Sequence, residues 1–165
     1  MGQQKQRASG DTRADATIAK EPMRSVSVNG LSCLAGYLIR QAQLWVFQDF
    51  IESVASLDIR PAHYSVLVVI RENPGLSQMA LAQVLEIGRS GIVPLLDSLE
   101  TRGLLTRGPA SDRRSHALYL TSDGSALLAR ADVKVQEHER RLADKVGRRG
   151  HEQLLRILEV FGRHA

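Results

Sequence analysis

The stretch from Ser77 to Leu120 constrains the fold more than any other part of the chain. Ser77 is a residue type that satisfies free N–H groups at a helix start, and Met79, Leu81, Ala82 and Leu85 follow at helical spacing for barely two turns. Glu86-Ile87-Gly88 interrupts them. A second helical pattern then runs from about Arg89 to Arg102, where Gly103 offers a left-handed stop. Two short helices around a tight turn predict a helix-turn-helix. Downstream, Leu104-Leu105-Thr106-Arg107 and His116-Ala117-Leu118-Tyr119-Leu120 alternate in polarity around the segment Gly108-Pro109-Ala110-Ser111-Asp112-Arg113-Arg114. Alternating runs joined by turn residues predict a β-hairpin with a long basic tip.

Helical periodicity brackets this unit. From Leu31 to Leu57 apolar residues recur on two faces, with Leu31, Leu34, Leu38, Ala42 and Trp45 on one and Leu44, Phe47, Ile51 and Val54 on the other. A helix apolar on two sides is packed on two sides. Pro61 suits the first turn of a helix that runs to the stop Asn73-Pro74-Gly75. Thr121-Ser122-Asp123 caps a long helix through Leu127, Leu128, Ala131, Val135, His138, Leu142 and Val146, and a last helix holds Leu154, Leu155, Leu158 and Phe161. The predicted fold class is mainly α with a small β-hairpin. Residues 27–165 form one domain, with a winged helix-turn-helix lobe at 60–121 between N- and C-terminal helices at 27–58 and 122–165. Residues 1–26 lack periodicity and are expected to form a disordered tail.

Composition narrows the setting. The chain has 165 residues, 43% of them hydrophobic, which supports one modest core. Its single cysteine, Cys33, rules out an internal disulfide framework or a cysteine-rich zinc site and fits a reducing compartment. Met1 to Arg24 contain no apolar run suited to a signal sequence, and no run reaches membrane-spanning length, so a cytoplasmic location without membrane contact is expected. A hydrolase nucleophile elbow, a glycine-rich phosphate loop and a His-x-x-x-His metal pair are all missing, so neither an enzyme nor a cofactor is expected.

The net charge of +4 is modest, so its location decides what it means. Residues 101–116 hold Arg102, Arg107, Arg113 and Arg114 against the single Asp112. Basic charge thus concentrates where a wing would meet DNA. A recognition helix in the major groove points its N-terminal N–H groups and first side chains, here Arg89, Ser90 and Gly91, at phosphates and base edges. An arginine at a hairpin tip can enter the minor groove. Arg102 has a second reading, as the cation balancing the C-terminal end of its helix. A winged-helix interaction module without DNA binding is the alternative from another class; it would not need the wing arginines.

The residues Leu76-Ser77-Gln78-x-x-Leu81-Ala82, the block Val93-Pro94-Leu95-Leu96-Asp97-Ser98-Leu99-Glu100-x-Arg102-Gly103-Leu104 and the wing Asp112-Arg113-Arg114-Ser115-His116-Ala117-Leu118-x-Leu120-Thr121-x-x-Gly124 resemble the multiple antibiotic resistance regulator (MarR) family of bacterial dimeric transcription factors. The resemblance implies a repressor homodimer on an inverted-repeat operator, built through its terminal helices, with an effector pocket where those helices meet the reading lobe. It places residues 89–95 in the major groove, lets Asp112 buttress the wing and sends Arg114 into the minor groove. The DNA set is then Ser77, Gln78, Arg89, Ser90, Gly91, Val93, Pro94, Arg107, Asp112, Arg113 and Arg114. Pro94 departs from the family: it cannot donate a hydrogen bond, so it reads a thymine methyl or shape.

Tyr37, Arg40, Trp45, His63 and Tyr64 supply aromatic walls and a cation to the implied pocket, although Trp45 and Tyr64 equally suit core packing. The phrase Leu38-Ile39-Arg40-Gln41-Ala42 to Val46-Phe47 resembles members tied to degradation of phenolic acids, which points to a hydroxycinnamate or its CoA thioester as effector. Cys33, one helical turn before Tyr37, also resembles the start of the organic-hydroperoxide-sensing branch, in which a thiolate is oxidised. Phe47 stands where that branch would offer a second tyrosine, and Leu31, Leu34 and Leu38 predict that Cys33 is buried.

Overall fold

The computed structural model describes residues 27–109 and 116–162. In chain order the elements are α1 (Ala35–Val54), a 3₁₀ turn (Ala55–Leu57), α2 (Pro61–Glu72), β1 (Leu76–Ser77), α3 (Gln78–Val84), α4 (Arg89–Thr101), β2 (Leu105–Pro109), β3 (His116–Leu120), α5 (Ser122–Val146) and α6 (Arg148–Gly162). The mainly helical class, the helix-turn-helix and the hairpin therefore stand. Local chemistry sets most boundaries: Pro61 occupies the first turn of α2, the Ser77 hydroxyl accepts from the Ala80 N–H at 3.2 Å, and the Thr121 hydroxyl accepts from the Gly124 N–H at 2.9 Å. Gly103 ends α4 with φ +69°, a conformation that side chains with a Cβ resist.

Two expectations change. The first helix begins at Ala35 rather than near Leu31, because Val28 to Leu34 close turns around the Asn29-Gly30 pair, with Leu31 N–H donating to Val28 and Leu34 N–H to Leu31. The hairpin is also one strand short of the sheet. Leu76 and Ser77 pair antiparallel with Leu118 and Ala117, giving the order β1-β3-β2. In the β2–β3 ladder Leu105 lies opposite Leu120 and Arg107 opposite Leu118.

One core holds the lobe together. Val66, Leu67 and Ile70 of α2, Leu81 of α3, Ile92, Leu96 and Leu99 of α4, Leu105 and Leu118 of the sheet and Leu128 of α5 are all buried against one another. Each such side chain contributes roughly 1.5–3 kcal/mol of transfer free energy. The start of α5 closes on the sheet so tightly that a Cβ on Gly124 would lie 1.9 Å from the Leu104 carbonyl oxygen. A smaller cluster of Val54, Leu57, Ile59 and Ala131, flanked by Phe50, Tyr64, Leu127 and Val135, joins α1 to α2 and α5.

The two-sided apolar pattern of α1 is covered on one side only within the chain. Phe50 and Val54 point inward, while Leu38, Ile39, Leu44, Phe47 and Ile51 are 41–52% exposed. Along α6 no residue is buried, and Leu155, Ile157, Leu158, Val160 and Phe161 face solvent. Cys33 is exposed as well, contrary to the burial that its leucine neighbours predict, because those leucines lie on the same uncovered face. Among the described residues no single helix is long and apolar enough to cross a membrane.

Candidate nucleic-acid interface and effector site

The turn between α3 and α4 fixes how the second helix is presented. Glu86 takes a left-handed φ of 53°, and the Ile87 N–H donates to the Ala82 carbonyl at 2.9 Å. Gly91 packs so closely on this turn that a Cβ there would sit 3.0 Å from Ile87 Cγ2. Ile92, Leu96 and Leu99 bury one stripe of α4, which leaves Arg89, Ser90, Gly91, Val93 and Pro94 exposed on the other. No side chain caps the helix, because its N-cap is Gly88, so its first N–H groups and the positive end of its dipole are open to an anion. Pro94 sits inside the continuous helix, on its solvent side.

A cleft of about 630 Å³ separates α3 from α4 and is lined by Ser77, Gln78, Met79, Arg89, Ile92 and Val93. Ser77, Gln78, Arg89 and Val93 are therefore brought together around one cleft. Arg107 is not. It reaches back from β2 across α4, its guanidinium donating to Asp97 Oδ1 and Glu100 Oε2 at 2.5 Å each, with its side chain only 21% exposed. The strand returns along the helix and brings Arg107 over two carboxylates one turn apart, so its charge is matched within the protein. Arg102 likewise departs from a phosphate role: it donates to the carbonyls of Asp58 at 2.6 Å and Leu57 at 3.2 Å, tying the end of α4 to the segment before α2. Asp112, Arg113 and Arg114 lie outside the described residues.

The five effector candidates are divided among three surroundings. Tyr37 accepts a hydrogen bond from Gln41 at 2.7 Å and, with the exposed Arg40, lies on the open part of α1. Trp45 is half-buried beneath Lys145, whose ammonium stands 4.7 Å from the ring centroid. His63 and Tyr64 are neighbours in sequence and so point different ways from α2. The His63 ring accepts from the Arg60 N–H at 3.1 Å beside a cavity of about 500 Å³ next to Arg102. Burial, followed by the charges of Arg102 and Arg60, holds the His63 pKa below the usual histidine value. Tyr64 instead turns inward, edge-on to Phe50 at 5.7 Å, and donates to Asp132 at 2.8 Å. Burial, with the Asp132 hydrogen bond second, pushes its phenol up to about 12. A single chain does not gather these five residues into one cavity.

Sequence reasoning missed the polar seam between α1 and α5. Asp49 Oδ2 lies 2.6 Å from His138 Nδ1 and 2.9 Å from Arg141, and Arg141 also donates to Ser53. His138 is buried and stands edge-on to Phe50. The Arg141 hydrogen bond outweighs desolvation and holds the Asp49 carboxyl below the usual carboxylate range. Asp132 receives both Tyr64 and Arg71, linking α5 to α2. The available signal was a polar residue, His138, at a position of the apolar stripe of α5.

A sequence model described as MarR family matches residues 57–115. A transcriptional regulatory protein for the hcr operon of Thauera aromatica is 36% identical over 115 residues, covering 66% of this chain and 69% of that protein. The transcriptional repressor CouR bound to a 23-mer DNA duplex is 44% identical, with TM-score 0.81, over 85% of this chain and 100% of that one. CouR bound to p-coumaroyl-CoA matches at 42% identity and TM-score 0.78, over 85% of this chain and 99% of that one.

Proposed function

The chain belongs to the MarR family of transcriptional regulators, and from that premise we propose a homodimeric repressor that holds an inverted-repeat operator and releases it on binding a hydroxycinnamoyl-CoA thioester. One observation carries the DNA half: the uncapped N-terminus of α4 projects Arg89, Ser90 and Val93 beside Ser77 and Gln78 on a single surface. Such an end fits the major groove, and a two-fold pair of them fits half-sites about one helical turn apart. By their sequence positions alone, Arg113 and Arg114 are assigned to the DNA contacts as well. The second copy is supported by the uncovered apolar sides of α1 and α6, too extensive for a solvated monomer.

The effector half is supported by the likeness to CouR, whose p-coumaroyl-CoA complex shares 42% of its sequence with this chain. A thioester of that type offers an aromatic ring for the tyrosines and tryptophan and phosphates for the cations. Release then follows only if the ligand favours an arrangement that DNA does not, so each must weaken the other's binding. The test is light scattering for size and fluorescence anisotropy on the chain's own promoter, with p-coumaroyl-CoA titrated into the complex. A dimer that binds and is displaced supports the reading. A folded monomer that ignores the promoter at micromolar concentration overturns it.

A further inference from the structure

Pro94 breaks a local rule in the second turn of α4. Proline is the least favourable residue inside a helix, because it has no N–H to give the carbonyl four residues back, here that of Ser90, and its ring crowds that carbonyl. The helix nevertheless runs unbroken from Arg89 to Thr101. Ile92, Leu96 and Leu99 form its buried stripe, and at about 100° per residue Pro94 stands nearly opposite them, exposed on the outermost ridge. Core packing therefore does not account for the residue. Proteins break such rules where an outside contact makes use of the exception.

Val93 precedes it, exposed on the flank of the same ridge that borders the cleft between α3 and α4. The two form an apolar pair whose side chains neither donate nor accept a hydrogen bond. From this placement we infer that Val93 and Pro94 are specificity-determining residues that read the C5-methyl group of a thymine in each half-site of the operator. The inference rests on the repressor reading above and adds the base group that the second turn of α4 selects.

The chemistry of the groove and the neighbours of the pair both favour a methyl group. In the major groove every base pair presents donors or acceptors, and the thymine methyl is the apolar feature among them. An apolar ring set against the cytosine N4 amine or the guanine O6 would strip water from a polar group and return no hydrogen bond. The pair thus attracts thymine and rejects its competitors. Polar residues bracket it: Arg89 and Ser90 lie one turn before, and Asp97 lies one turn after with its carboxylate engaged by Arg107. Gly91, Val93 and Pro94 are the exposed residues between Ser90 and Asp97, so that stretch has no side chain able to read a donor or acceptor.

DNA shape is the competing account of Pro94, and its position disfavours it. Shape is read at base pairs that the protein does not touch, whereas the outermost ridge of a recognition helix is the first part to meet the groove floor. Pro94 also lies only ~7.5 Å along the axis from Arg89, within the N-terminal part of such a helix that contacts base edges.

Sites selected by the full-length protein from a random duplex pool supply the operator for the test. Fluorescence anisotropy then compares thymine with deoxyuridine, which lacks only the methyl, at each thymine of the selected half-site. At one or two positions deoxyuridine should weaken wild type about fourfold, as the transfer free energy of one buried CH₂ group predicts, and about fifteenfold with both half-sites substituted. The double variant Val93→Ala/Pro94→Ala should bind the thymine and deoxyuridine duplexes within twofold of each other. Pro94→Ala alone should melt at or above the wild-type midpoint, because alanine is the better helix former. Equal affinity of wild type for thymine and deoxyuridine at every position overturns the inference and leaves shape as the role of Pro94. Discrimination that survives in the double variant overturns it too, as does a Pro94→Ala midpoint well below wild type, which would give the ring a role in the fold. A chain that selects no site fails the repressor reading itself, and the methyl contact falls with it.

Discussion

Arg107→Gln separates two accounts of the same cation. If Arg107 contacted phosphate, its loss would lower operator affinity and reduce the salt dependence of binding by about one unit of slope, with stability unchanged. The structure instead gives Arg107 two charge-assisted hydrogen bonds, to Asp97 and Glu100, from a side chain only 21% exposed. Such bonds contribute about 1.5–3 kcal/mol each when buried, but Asp97 and Glu100 are 54% and 38% exposed, so solvent screening cuts the pair to about 1–2 kcal/mol. The variant also leaves two carboxylates one helical turn apart with no cation between them. Thermal unfolding of Arg107→Gln should therefore fall by roughly 3–6 °C for a domain of this size, and the salt slope of operator binding should match wild type. In a double-mutant cycle, Asp97→Asn should lose most of its own cost when Arg107 is already glutamine. Unchanged unfolding together with a slope reduced by one would refute the pairing account and return Arg107 to the DNA.

Further outcomes follow from other sites. Asp49→Asn leaves His138 and Arg141 facing an uncharged amide and should lower the unfolding midpoint at neutral pH. The Asp49 pKa is depressed in the fold, so its stabilisation is present above the ordinary 3.8 and lost as pH falls below it; denaturant melts of wild type and variant should converge under acid. Tyr64→Phe removes the hydrogen bond to Asp132 and should cost about 1 kcal/mol in urea unfolding, with Arg71 still holding the carboxylate. Arg114→Ala in the wing should weaken operator binding by about 1–3 kcal/mol with the melting curve unchanged, read by anisotropy. Cys33 is exposed in the single chain but lies beside the apolar face that a second copy would cover, and no cation stands with it in sequence; Cys33→Ser should keep both operator binding and release by p-coumaroyl-CoA, and hydroperoxide should leave wild type on the DNA.

The lobe was legible because its punctuation is local. Ser77, Gly88, Gly103 and Thr121 act through backbone groups within three or four residues, and the buried stripe of α4 repeats inside a single element. Charge pairing is not local. The Arg107 partners are seven and ten residues upstream and meet it only because β2 doubles back along α4, so a basic wing read as a count of arginines overstates the charge left for DNA. Asp49 and Arg141 are 92 residues apart, and nothing in either neighbourhood announces the other. Strand β1 was invisible for a different reason: two residues cannot display a period of two, and Ser77 already has a complete role as a helix cap. The mistaken burial of Cys33 follows from reading apolar neighbours as evidence of a core, when the same neighbours can mark a face that one chain leaves uncovered.

That uncovered face bears on how a ligand signal would travel. Helix α2 belongs to both parts of the molecule: Val66, Leu67 and Ile70 enter the core of the reading lobe, and Tyr64 enters the cluster that joins α1 to α5. Its N-terminus is tied to the recognition helix through the segment before it, where Arg102 holds the Leu57 and Asp58 carbonyls. The polar seam of Asp49, His138 and Arg141 keeps α1 fixed on α5, so neither helix moves without the other. A rigid α1–α5 frame, a lobe packed on α2 and a single guanidinium strut between α4 and the α2 entry leave few ways to change the spacing of two recognition helices across a dimer. Tilting the lobe about α2 must rearrange the strut and also carry the first turns of α5 with it, because Leu128 belongs to the lobe core and Gly124 abuts Leu104. The cavity between α2 and α4 is bounded by both the α2 entry and Arg102, so an occupant there would act on the strut directly.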